Sequence, residues 1–101
     1  MNIQEIINLG GKIIFDEISN LSNSKISLIT DDLKEDLFQA AFPSGKIIDI
    51  GWYPEFSKNG SFKILLISNR DWGSPTYSET AKTWKSLEKA LKNTLKRMQT
   101  P

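Results

Sequence analysis

Two apolar runs within residues 46–75 alternate with the period of an extended chain. Ile48, Ile50 and Trp52 fall on one face of the first run, and Ile47, Asp49, Gly51 and Tyr53 on the other. Successive side chains of a strand leave opposite faces, so this pattern predicts a half-buried strand. In the second run Phe62, Ile64 and Leu66 share one face and Lys63, Leu65 and Ile67 share its opposite. Both faces are mostly apolar there, which predicts a strand inside the sheet and paired on both sides. Pro54 has no amide hydrogen to give to a ladder, so the first strand is predicted to end near Tyr53. Asn59-Gly60 is predicted to take the positive φ angles of the turn that opens the second strand.

The flanking segments read with a different period. Asn2 and Glu5 form a capping-box pattern. Behind them Ile3, Ile6, Ile7, Gly10, Ile13, Ile14, Ile18 and Leu21 share one face at helical spacing, predicting a long amphipathic N-terminal helix. Gly10-Gly11 lies inside that stripe and is read as close packing of the helix on the sheet, with a break near Leu9 as the other possibility. A phosphate-binding loop is disfavoured because no P-loop lysine-serine follows. Residues 19–24 form a polar connector. Residues 30–42 admit a short helix from Asp32, or a strand from Asp36 to Phe42 turned back through Pro43-Ser44-Gly45; the hairpin is preferred. Residues 76–82 admit a strand or the start of the last helix, with Ser78 as its cap. From Thr83 onward Trp84, Leu87, Leu91, Leu95 and Met98 form a continuous helical stripe.

Together these elements predict an α+β fold in one domain, residues 1–101. Its core would be an antiparallel three- to four-stranded sheet with the N- and C-terminal helices packed on one face. A chain of 101 residues with 39% hydrophobic and 25% charged content is large enough for one core without staples.

Absences narrow the chemistry further. The sequence has no cysteine and no histidine, which removes disulfides, thiol chemistry, the commonest general base and the commonest zinc ligand. The first ten residues lack the basic start of a signal peptide and no apolar run reaches membrane-spanning length, so a cytoplasmic location is expected. The net charge of +1 conceals an uneven spread. Residues 1–79 hold 11 acids and 7 bases, whereas residues 80–101 hold 1 acid and 6 bases. The chain thus has an acidic body and a basic terminal helix.

Three groups of residues are candidates for chemistry. Asp31, Asp32, Glu35 and Asp36 form an acidic cluster whose spacing suits weak cation binding or, more ordinarily, a solvated surface. With no base to activate a nucleophile and no carboxylate pair in register, no catalytic activity, metal site or cofactor is expected. Lys82, Lys85, Lys89, Lys92 and Lys96 recur at three- and four-residue steps along one flank of the last helix. That stripe suits phosphate neutralisation in a nucleic-acid-binding module, and equally suits a terminal helix kept soluble. Trp52 shares the core face of its strand. Tyr53, Phe56, Trp72 and Tyr77 sit at strand ends and in loops, where aromatic side chains serve as anchors of protein interfaces or fold back over the sheet.

The order of Ile47 to Phe56 (IIDIGWYPEF), then Gly60-Ser61-Phe62, then Asn69-Arg70-Asp71-Trp72 before Pro75, resembles small immunity proteins of bacterial toxin–immunity systems. These include proteins of contact-dependent growth inhibition and other polymorphic toxins. The likeness spans residues 36–99, through a hairpin, an Asp-Trp loop and a terminal helix. It implies a non-enzymatic cytosolic protein that binds one cognate toxin domain, one to one, and occludes it without a cofactor or a membrane. Many such toxins are basic nucleases met by acidic surfaces, and the net charge of +1 departs from that balance. Under this reading the contact residues expected are Asp31, Asp32, Glu35, Asp36, Tyr53, Glu55, Asp71, Trp72 and Tyr77, with Asp49 as a further acid of the same body.

Overall fold

A computed structural model describes residues 1–99. Five strands form one antiparallel sheet in which every neighbour in space is a neighbour in sequence: β1 (Lys12–Asp16), β2 (Phe38–Ala41), β3 (Ile47–Tyr53), β4 (Ser61–Ile67) and β5 (Tyr77–Ala81). Helices α1 (Ile3–Asn8), α2 (Ile18–Leu21) and α3 (Trp84–Gln99) complete an α+β fold. The sheet has one strand more than the largest number expected from the sequence, and the extra strand comes from the N-terminal region.

The predicted long N-terminal helix is broken there. Asn2 caps α1 by accepting a hydrogen bond from the Glu5 amide at 3.1 Å. The helix then stops in a Schellman motif, in which Gly10 N donates to Ile7 O and Gly11 N to Ile6 O, each at 2.9 Å. Gly10 takes φ +87°, a conformation that costs a side-chain-bearing residue more than it costs glycine. The glycine pair is therefore a helix stop. The β-branched residues Ile13 and Ile14 beyond it enter β1, with a bulge between Ile13 and Phe15.

The preferred hairpin over residues 36–46 is present. Ala41 pairs with Ile47 and Phe38 with Ile50, and the turn closes through Phe42 N donating to Lys46 O at 2.9 Å. Asp31 and Asp32 stand before it in a 3₁₀ turn, Thr30–Asp32. Residues 33–37 then run beside the end of β3, where Leu37 N donates to Ile50 O and Trp52 N to Lys34 O. Strand β3 ends at Tyr53 and β4 is paired on both sides, both as predicted. Neither Asn59 nor Gly60 takes a positive φ; in that loop Phe56 does, at +62°. Glycine is required at position 60 for a different reason, since a Cβ would lie 2.3 Å from Trp52 Nε1. Residues 76–82 resolve as strand. The cap of α3 is Thr83 and not Ser78: Thr83 Oγ1 accepts from Ser86 N, and Ser86 Oγ accepts from Thr83 N.

The core lies on one side of the sheet. Phe38, Ala40, Ile48, Ile50, Trp52, Phe62, Ile64, Leu66 and Ala81 meet Ile6, Ile18, Leu33 and Leu37 and the α3 stripe of Leu87, Ala90, Leu91 and Leu95. Burying each such aliphatic side chain contributes about 1.5–3 kcal/mol, which is what holds α3 to the sheet. Trp52 packs edge-on against Phe62 with ring centroids 4.8 Å apart, and its Nε1 donates to Ser57 O at 2.9 Å. Trp84 lies against the same phenylalanine and donates to Ser24 O, tying α3 to the connector after α2.

Candidate functional site

The core cluster takes no side chain from the opposite face of the sheet. Among the described residues, no helix lies on that face. Its composition follows from the register. Lys12, Ala41, Ile47 and Ile67 form one row across the strands, and Phe15, Gln39, Asp49, Leu65 and Ser78 form the next. Gly51, Lys63 and Thr80 follow, and then Tyr53 beside Ser61. Ile67 is fully buried at the end of its row, but Phe15, Ala41, Ile47 and Leu65 are half-buried, so an apolar band with a polar centre is left facing outward.

Asp49 is that centre. It is only 7% exposed, flanked by Leu65 on one side and Gln39 on the other. Gln39 Nε2 donates to Asp49 Oδ2 at 3.2 Å. Among the described residues no lysine or arginine forms an ion pair with this carboxylate. Burial pushes its pKa above the ordinary value, the Gln39 amide pulls it back, and the charge of Asp36 pushes it up again. The Tyr53 phenol is raised as well, first by burial and then by the charges of Asp49, Glu35 and Asp36. Asp36 thus acts on Asp49, and Asp49, Glu35 and Asp36 all act on Tyr53.

Backbone packing builds this juxtaposition. Residues 33–37 cross beside β3 so closely that a Cβ on Gly51 would lie 1.9 Å from Glu35 O. Only glycine at position 51 lets the acidic segment lie against the strand that carries Asp49 and Tyr53. Sequence alternation already sets Asp49 on the same strand face as Tyr53, but the approach of Glu35 and Asp36 has no local sequence signal.

The nine expected contact residues do not form one patch. Glu35, Asp36 and Tyr53 gather around Asp49, and Glu55 is exposed in the loop that follows Tyr53. Asp31 and Asp32 are exposed in the 3₁₀ turn, where Asp32 lines a shallow depression with Glu17 and Lys34, themselves ion-paired at 3.3 Å. Asp71 and Trp72 lie in the β4–β5 loop, six residues of β3 away from Tyr53 by register, a separation of about 20 Å. Trp72 is 46% exposed there. The two residues before Asp71, Asn69 and Arg70, both have positive φ, at 55° and 58°. Asp71 N donates to Ser68 O at 3.1 Å and closes this turn. Tyr77 belongs to neither group. It packs on the core side, donates to Glu79 Oε1 at 2.7 Å and lies under Arg97, whose guanidinium carbon is 5.1 Å from the ring centroid. Its hydrogen bond to Glu79 raises its pKa, and Asn93 of α3 donates to the same Glu79 oxygen. Tyr77 thus holds the sheet to α3.

Among the described residues no group of three or more Asp and Glu side chains is arranged to hold a metal ion, and no helix is long and apolar enough to cross a membrane. Comparison with known protein families, curated proteins and solved structures returned no match.

Proposed function

We propose that this protein is a non-enzymatic cytoplasmic binding protein, an immunity protein that occludes one cognate toxin domain with the open face of its sheet. The observation that carries the reading is the buried Asp49 carboxylate. It stands in the middle of an outward-facing apolar band with an amide for its neighbour and, among the described residues, no ion-paired cation. A buried charge without a countercharge costs stability, and a cationic side chain of a partner docked on this face would offset that cost. Glu35 and Asp36 extend the negative field outward, which speeds encounter with a basic surface. Tyr53 gives the partner a partly exposed aromatic body to pack on, and Phe15, Ile47 and Leu65 give apolar area. Trp72, on its loop at the other end of the sheet, supplies a second anchor. The left-handed backbone at Asn69 and Arg70 costs about 1–3 kcal/mol per strained residue, and such strain concentrates at binding loops.

The experiment is affinity capture of the tagged protein from its native cell after nuclease treatment, with the captured partner then expressed alone. A stoichiometric protein that is toxic by itself and harmless when co-expressed with this chain is the expected result. Asp49→Lys should abolish the protection while the circular dichroism spectrum stays folded. A partner whose toxicity this chain does not change, or protection that survives Asp49→Lys, overturns the reading.

A further inference from the structure

The outer face of α3 plays no part in the contact proposed above, yet it carries a run of exposed lysines. At 100° per residue, Lys85, Lys89, Lys92 and Lys96 fall within a stripe about 60° wide, centred about 130° from the buried Leu87, Leu91 and Leu95. All four are exposed, as is Lys82 just before the helix. Among the described residues none of these five lysines makes an ion pair. Glu88 is the one acid of α3, and it is held by the Met1 ammonium at 2.8 Å. Neighbouring lysines along the stripe are one helical turn apart, about 5–6 Å. From Lys85 to Lys96 the ridge runs about 16 Å.

We infer that this ridge binds the phosphate backbone of double-stranded nucleic acid, without reading its sequence. Four features select that partner. The charges are evenly spaced along a straight rod, and a duplex presents a dense linear array of negative charge. A bare α-helix fits the major groove of B-form DNA in width. Lysine is a point charge without arginine's planar fork, so its contacts are weighted towards phosphate. Trp84 is drawn inward against Phe62, which leaves no ring on the ridge for single-stranded bases to stack on. An anionic membrane is the poorer fit, because the leucines that would enter the lipid are already spent on the core.

The test is fluorescence anisotropy with a labelled 20-base-pair duplex of arbitrary sequence, over a salt series. A single strand of the same length and phosphatidylserine vesicles are the competing probes. The expected result is duplex binding whose log–log salt slope is about −3 to −4, for four phosphates contacted. The triple variant K85E/K89E/K92E should bind at least tenfold more weakly with a shallower slope, while Lys63→Glu, exposed on the face of the sheet opposite α3, should bind like the parent. Should charge reversal disturb the helix by circular dichroism, the K85Q/K89Q/K92Q variant serves with the same expectation. No binding of the parent to duplex, equal binding by the triple variant, or preference for the single strand or the vesicle overturns the inference. None of these outcomes bears on the open sheet face.

Discussion

Gln39 lies directly across from Asp49 and donates its side-chain amide to it, Nε2 to Oδ2 at 3.2 Å, on the face of the sheet that no described helix covers. A neutral donor is thus the carboxylate's side-chain partner, and no ion pair among the described residues offsets its burial. The carboxylate is kept, at a cost, beside Tyr53, Glu35 and Asp36.

That cost has a pH signature. An acid whose folded pKa lies above its unfolded value of 3.8 binds its proton more tightly in the folded state. Stability therefore falls as pH rises from the unfolded value through the folded one. Asp49→Asn removes the penalty and keeps the hydrogen bond with Gln39. The variant should melt a few degrees higher than the parent at pH 7, with the gap closing as pH approaches 4. Thermal melts across that range check it. The same variant should protect less well against the toxin, which separates stability from function at one residue.

Gly51→Ala should be severely destabilising, by about 3 kcal/mol or more, because its Cβ has no room beside Glu35 O. Urea unfolding gives the magnitude. A midpoint close to that of the parent would mean that residues 33–37 do not lie against β3.

Trp72→Ala should change stability by less than about 0.5 kcal/mol, as expected for an exposed loop side chain. Loss of an interface anchor costs about 2 kcal/mol, so partner binding should weaken roughly thirtyfold. Calorimetry of the two proteins together with a urea melt of the variant distinguishes the two effects. Asp71→Ala in the same loop should weaken binding with the spectrum unchanged.

Thr83→Ala should cost about 1 kcal/mol through loss of the α3 cap, whereas Ser78→Ala should be close to neutral. Paired urea titrations check the difference.

The parts of the fold that were legible in the sequence are those governed by strict alternation. Ile48, Ile50 and Trp52 occupy the core face, β3 ends at the residue before Pro54, and the leucine stripe of α3 is buried. The N-terminal stripe misled because isoleucine at helical spacing is also isoleucine at strand spacing over short windows. Gly10-Gly11 was the deciding signal: Gly10 acts through its positive φ, and Gly11 through close packing, since a Cβ there would lie 2.6 Å from Ile6 Cγ2 and 2.9 Å from Phe42 Cε1. The candidate site was half legible. Asp49 and Tyr53 share a strand face by alternation alone, but the return of residues 33–37 to that face depends on tertiary pairing. Trp72 and Tyr77 are five residues apart in the chain, yet one is exposed in its loop and the other is locked between Glu79 and Arg97. No local pattern distinguishes them.

The strand order has a kinetic consequence. Each strand pairs with the one just before it in the chain, so the sheet needs no long-range strand crossing. Loop-closure entropy is lost in small steps, and a β3–β4 hairpin can template the neighbours on either side. Chains with such local topology fold faster than sandwiches or barrels of equal size, and they leave their unpaired strand edges exposed to other chains for less time.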